Sequence, residues 1–214
     1  MMDPAAYDAW YDTPRGRWIG ETEFHLASRL LAASPDESLL DVGCGTGWFT
    51  RRFAHAGLHV TGLDSNPEWL AYARSRSDPA IRWLKGDAQA LPFPDDRFDH
   101  VLSIAALCFV DDEQKSVAEI VRVARRSFAI GWLNRSSLLY WDKGRHGGSG
   151  AYQGARWHTA DEVLALFSGL PVRNLTMSSA IFLPSGTRWA ALLEQGLPNT
   201  LKLGGLLLLH GEKA

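Results

Sequence analysis

Apolar positions along the chain switch repeatedly between short continuous runs and stripes three or four apart, the periods of strands and helices. Phe24, Ala27 and Leu31 recur at helical spacing, so a helix is predicted over 21–33. Residues 38–42, Ser-Leu-Leu-Asp-Val, read as a first strand. Phe49 and Phe53 share one face of a following helix, which Gly57 stops. A second strand over 59–64 ends at Asp64, and Asn66-Pro67 supplies an N-cap with proline at the first helical position. A third strand covers 81–85. Residues 91–96 hold Pro92 and Pro94 and read as a loop. Strand four runs from Asp99 to Ile104. Asp111 or Asp112 then caps a helix with the stripe Val117, Ile120, Val121 and Ala124, and Ser127 to Leu133 make strand five.

Strands alternating with helices about every twenty residues imply an α/β fold: a doubly wound, mostly parallel, Rossmann-like sheet with helices on both faces. Ligands of such sheets bind at the carboxyl ends of the strands, where Asp41, Asp64, Asp87 and Ser103 all fall. After Leu133 the pattern loosens. Residues 134–158 are rich in Gly, Ser and aromatics without a period, as in a long loop or lid. Thr159 and Glu162 form a capping box ahead of Val163, Leu166 and Phe167. Two further strands, near 172–182 and 203–209, bring the expected sheet to seven strands with a hairpin-like edge. Leu206 to Leu209 is too short a run to cross a bilayer and reads as a buried closing strand.

Composition narrows the functional classes. A length of 214 residues suits one domain with a sizeable core, and 46% hydrophobic residues with scattered charges suit a folded chain. The net charge of −2 carries no polyanion footprint, so no nucleic-acid partner is expected. Cys44 and Cys108 are the only cysteines, which makes a disulfide framework improbable and a cytoplasmic location the default. Met1-Met2-Asp3-Pro4 lacks the pattern of a signal peptide, and no membrane association is expected. No H-x-x-x-H pair or cysteine cluster suggests a metal. Nine tryptophans are many for this length; core packing takes most, and some can wall an apolar pocket.

The chemistry concentrates at Leu39-Leu40-Asp41-Val42-Gly43-Cys44-Gly45-Thr46-Gly47-Trp48, a strand, an acid and three glycines at alternate positions. Such a turn brings bare backbone against a ligand, and an acid some twenty residues on, here Asp64, can hold ribose hydroxyls. A nucleoside-bearing cofactor is implied. The dinucleotide fingerprint G-x-G-x-x-G would need glycine at position 48, which is Trp48, and no G-K-[ST] follows for a P-loop.

The spacing D-x-G-x-G-x-G instead resembles motif I of the class I S-adenosylmethionine-dependent methyltransferases. Three further stretches extend the resemblance in order: Gly62-Leu63-Asp64-Ser65-Asn66-Pro67-Glu68-Trp69-Leu70, Gly86-Asp87-Ala88-Gln89-Ala90-Leu91-Pro92-Phe93, and Phe98-Asp99-His100-Val101-Leu102-Ser103 with its following helix. The likeness covers 39–133 well and is nearest the branch that includes ubiquinone and menaquinone biosynthesis methyltransferases. It implies that Gly43 and Gly45 take the methionine end of S-adenosylmethionine with Asp41 assisting through water, and that Cys44 of the same turn is also cofactor-binding. Asp64 would accept from the ribose diol, with Ser65 beside the adenine. Asp87 and the Ala88 N–H would address the adenine edge, and the backbone of Ser103 and Ile104 would lie beside the sulfonium. The family's usual Pro-Gly-Gly before strand five is replaced by Arg125-Arg126-Ser127, which alters a turn more than the chemistry.

The expected organisation is a single methyltransferase domain over 1–214: a helical cap (1–36), a cofactor-binding core (37–133), a substrate loop or lid (134–158), and a C-terminal helix and strand pair (159–214). Tyr11, Tyr152, Arg156 and His158 are the candidates for touching the acceptor, with Tyr7 and Trp10 as further pocket-or-core aromatics. Plainer roles stand beside each assignment. Asp41 can cap its turn, Asp87 can be a solvated loop residue, and Arg156 can pair with a carboxylate. An isolated loop histidine such as His158 is ordinarily structural, and Cys44 reads as a small space-filler rather than a nucleophile. No general base is assigned. The resemblance implies in-line methyl transfer to a small organic molecule, its accepting atom and the oligomeric state left open. A non-catalytic S-adenosylmethionine-binding module and a nicotinamide-dependent oxidoreductase are the alternatives.

Overall fold

A computed structural model describes residues 3–214; Met1 and Met2, at the start of the expected cap, lie outside the described residues. Seven strands form one sheet: β1 (Ser38–Val42), β2 (His59–Asp64), β3 (Arg82–Lys85), β4 (Phe98–Ile104), β5 (Ala124–Leu133), β6 (Val172–Ala180) and β7 (Leu206–Lys213). Their order is β3-β2-β1-β4-β5-β7-β6. β1 to β5 pair in parallel, and β7 lies antiparallel between β5 and β6. The strand order reverses at β1, so the β1–β4 boundary is the switch point at which doubly wound sheets bind ligands.

The helices are α1 (Pro4–Trp10), α2 (Pro14–Leu31), α3 (Trp48–His55), α4 (Pro67–Ser75), α5 (Glu113–Val123), α6 (Ala160–Ala165) and α7 (Arg188–Gly196). Their starts follow local chemistry. Thr13 Oγ1 accepts from Gly16 N–H at 3.0 Å, Asn66 Oδ1 from Glu68 N–H at 2.9 Å, and Asp112 Oδ1 from Lys115 N–H at 2.9 Å. Thr159 and Glu162 make the reciprocal capping box expected of them.

Two clusters of buried side chains sandwich the sheet. Phe128, Ile130, Trp132, Leu207 and Leu209 pack against Val117, Ile120 and Val121 of α5 and Val163 of α6. Leu39, Leu102, Ala129, Leu206 and Leu208 pack against Ile19, Leu26 and Leu31 of α2 and Phe49 and Phe53 of α3. β5 and β7 thus bury both faces. That is why Leu206 to Leu209 is an unbroken apolar run rather than an alternating one. Each fully buried leucine of this kind contributes about 1.5–3 kcal/mol.

Four element expectations need correction. The helix expected at 21–33 begins at Pro14, because Thr13-Pro14 is itself a cap-and-start signal. Ala124, placed in the helical stripe, opens β5 with extended backbone immediately after α5. The final strands pair antiparallel at the edge as a hairpin-like pair should, but α7 intervenes between them and β7, not β6, lies beside β5. The 134–158 segment holds short helical turns at Tyr140–Gly144, Arg145–Gly147 and Gly150–Tyr152, closed at its base by a bridge between Asn134 and His158.

Candidate functional site

The carboxyl ends of β1 to β5 open into a cavity of about 1000 Å³. Small-molecule sites span about 300–1,000 Å³, so this volume suits a cofactor together with a second molecule. The turn from β1 to α3 forms its floor. Gly43 and Gly45 have φ of +72° and +55°, and a Cβ at Gly43 would lie 2.2 Å from the Ala106 Cβ. Gly43 and Cys44 donate their N–H groups to the Leu63 carbonyl at 2.8 and 3.0 Å. Gly45 N–H donates to Asp64 Oδ2 at 2.8 Å, and Gly47 N–H to the Cys44 carbonyl at 2.9 Å. Four donors of the turn are thereby taken; among the described residues the N–H of Thr46, which also lines the cavity, has no acceptor. Among the described residues nothing donates to the carbonyls of Gly43 and Gly45, both of which line the cavity.

That arrangement has an electrostatic sense. A loop that binds phosphate aims free N–H groups at its ligand. This turn offers carbonyl oxygens, with Asp41, Asp64 and Asp87 also lining the cavity. It favours a cation and disfavours a pyrophosphate.

The acids differ in their surroundings. Asp41 is buried and accepts the Thr50 hydroxyl at 2.5 Å. Burial pushes its carboxyl up to about 7 against the lowering effect of that bond, and neighbouring Asp64 adds to the rise. Asp64 is half-buried; its Oδ1 accepts Asn66 N–H at 2.8 Å while Oδ2 holds Gly45. Exposed Asp87 accepts Gln89 N–H at 2.9 Å, and this bond holds its carboxyl below the ordinary range. Ser65 and Ala88 line the same wall.

Cys44 lines the cavity, yet its side chain is buried, and burial, with Asp41 and Asp64, pushes its thiol well up. A thiol so placed is no nucleophile at neutral pH. Ile104 borders the cavity, whereas Ser103 does not: it is fully buried, its hydroxyl without a hydrogen-bond partner.

The acceptor candidates divide. Tyr11 and Tyr152 line the cavity, Tyr11 stacked on Trp48 with ring centroids 4.5 Å apart. Arg156 and His158 do not reach it. Arg156 Nε donates to Glu113 Oε1 at 3.0 Å, and His158 Nε2 lies 2.7 Å from Glu113 Oε2. Both residues clamp one buried carboxylate at the start of α5 and fasten the end of the 134–158 segment there. Sequence spacing could not show this, because Glu113 lies 43 residues before Arg156.

Two residues of α2 that the sequence reading passed over, Arg15 and Glu23, also line the cavity. A signal for Glu23 was present: it stands four residues after Ile19 and four before Ala27, a carboxylate interrupting a buried stripe. No helix among the described residues is long and apolar enough to cross a membrane. No group of three or more His, Cys, Asp or Glu there could hold a metal.

Comparison with known proteins bears on this site. Residues 40–127 match the methyltransferase domain family. The chain is 42% identical over 100 residues to malonyl-[acyl-carrier protein] O-methyltransferase of Pectobacterium atrosepticum, covering 45% of this chain and 39% of that protein. It is 35% identical over 193 residues to an uncharacterized protein of Mycobacterium tuberculosis, covering 86% and 63%. The chain thus spans less than two thirds of these curated relatives. A crystal structure of a methyltransferase from Thermotoga maritima, described as a possible histamine N-methyltransferase, superposes with a TM-score of 0.76 at 22% identity, covering 98% and 96%.

Proposed function

Because this chain belongs to the class I S-adenosylmethionine-dependent methyltransferase family, we propose that it transfers a methyl group to a small molecule held in the same cavity as the cofactor. The observation that carries the reading is the β1–α3 turn, where Gly43, Cys44, Gly45 and Gly47 spend their N–H groups internally and the open carbonyls of Gly43 and Gly45 suit a cationic ligand. Bound there, S-adenosylmethionine supplies a methyl carbon activated by positively charged sulfur. The Gly43 carbonyl would accept from its ammonium group, with Asp41 assisting through water. Asp64 keeps free lone pairs for the ribose diol after serving Gly45 and Asn66. Asp87 and the Ala88 N–H would hold the adenine edge, with Ser65 beside the ring.

What the chain contributes to the reaction is placement. Tyr11, Tyr152, Ile19, Leu139 and Ile181 wall the part of the cavity formed by α2, the 134–158 segment and the ends of β5 to β7. Their apolar surfaces exclude water and confine an acceptor, and alignment alone can supply most of the rate in an in-line displacement. The two relatives named for a reaction are an oxygen methyltransferase and a possible nitrogen methyltransferase. They support the reaction class rather than one accepting atom.

The test has two stages. S-adenosylhomocysteine should raise the melting temperature of the purified chain, while NAD should not. Incubation with S-adenosylmethionine and a small-molecule extract should then accumulate S-adenosylhomocysteine. Protection by NAD alone overturns the cofactor assignment, and tight binding without turnover overturns the enzymatic one.

A further inference from the structure

Glu23 lies on the buried stripe of α2 and lines the cavity, yet no hydrogen bond or ion pair among the described residues involves it. Partly buried carboxylates are ordinarily paired. Its acidic neighbour Glu194, on α7, is satisfied: its two oxygens accept Ile181 N–H at 2.8 Å and Phe182 N–H at 2.9 Å. Burial, then the charge of Glu194, push the Glu23 carboxyl up to about 8. The other ionisable groups facing this part of the cavity are Tyr7 of α1, Tyr11, Arg15 of α2, and Tyr152 and Lys143 of the 134–158 segment. Neither cation answers Glu23: Arg15 forms no ion pair with it, and Lys143 sits 3.6 Å from Asp142.

We infer that Glu23 is the acceptor-binding carboxylate of this cavity, and that the acceptor is a small molecule carrying a basic nitrogen on an apolar or aromatic body. The inference rests on the proposed methyl transfer and names its substrate class. A cation supplies the charge that Glu23 lacks, and the rings of Tyr7, Tyr11, Trp10 and Tyr152 lining the same cavity favour it further. A neutral alcohol brings no charge against which Glu23 can ionise, and a carboxylate adds a negative group beside Glu194.

An acceptor arriving as an ammonium gives one proton to the Glu23 carboxylate, which frees the nitrogen lone pair. That pair forms the new N–C bond as the C–S bond breaks. The C–S electrons remain on sulfur in S-adenosylhomocysteine, the positive charge passes to nitrogen, and Glu23 releases its proton to solvent.

Calorimetry on the full chain saturated with S-adenosylhomocysteine tests this. The probes are 2-phenylethylamine and tryptamine, each with its alcohol and carboxylate isosteres, in two pH 7 buffers of different ionisation heat. At least one amine should bind tenfold or more tighter than its isosteres. Binding should release close to one proton, because Glu23 must ionise to pair. Glu23→Gln should abolish both the preference and the proton release while S-adenosylhomocysteine affinity stays unchanged. An isostere binding as tightly, a preference surviving Glu23→Gln, or no amine binding overturns the inference and leaves methyl transfer standing. Failure of S-adenosylhomocysteine to bind the wild-type chain overturns both.

Discussion

Replacing Asp64 by alanine separates two duties of one carboxylate. In the ligand-free chain it holds the β1–α3 turn through Gly45 N–H and the start of α4 through Asn66 N–H, both at 2.8 Å. Bonds to a charged acceptor contribute about 1.5–3 kcal/mol each. Both donors border the cavity, so water replaces part of the loss, and a net cost of about 1–2 kcal/mol follows. For a chain of this length that lowers Tm by roughly 2–8 °C. The proposed ribose contact would be a separate loss. Forfeiting even one charge-assisted bond weakens S-adenosylhomocysteine at least about tenfold, and forfeiting two weakens it about a hundredfold or more. Differential scanning fluorimetry reads the first effect and isothermal titration calorimetry the second. A lowered Tm with unchanged Kd would show that Asp64 merely caps the turn, and the ribose assignment would fall.

Gly43→Ala should abolish most S-adenosylhomocysteine binding, because a left-handed φ costs a side chain about 1–2 kcal/mol and the added methyl meets Ala106 at 2.2 Å; wild-type affinity by calorimetry would refute the cradle. Cys44→Ser should largely retain S-adenosylhomocysteine formation, and the wild-type Cys44 thiol should resist alkylation at pH 8, since burial keeps it protonated. Inactivation of a folded Cys44→Ser chain would restore a covalent role. Asp99 lies at the opposite end of the sheet, where burial would raise its carboxyl. Ser38 N–H and hydroxyl, with Arg125, outweigh that and bring it to about 2. The lowered value means stability that is present above about pH 4 and lost as pH falls toward 2, about 2 kcal/mol in size. Denaturant titrations from pH 7 to 2 should therefore show Asp99→Asn starting less stable and falling less than wild type; parallel curves would exclude this origin.

Much of the molecule was legible from short stretches. Thr159 with Glu162, Asn66 with Pro67, and Asp112 each announce a helix, because a cap is made by residues two or three apart. Gly43, Gly45 and Asp64 announce the floor of the cavity, the proposed cofactor end, because a turn and the strand beside it leave few backbone options. The proposed acceptor end was not legible. Arg156 and His158 looked available until folding set Glu113 between them, and Ser103 looked like a rim residue until β4 buried it. Glu23 gained its meaning from α7, far along the chain, whose Glu194 sets a second acid beside it and no cation. Periodicity and capping are written between near neighbours. Which charges meet, and which remain uncompensated, depends on segments brought together only when the sheet assembles.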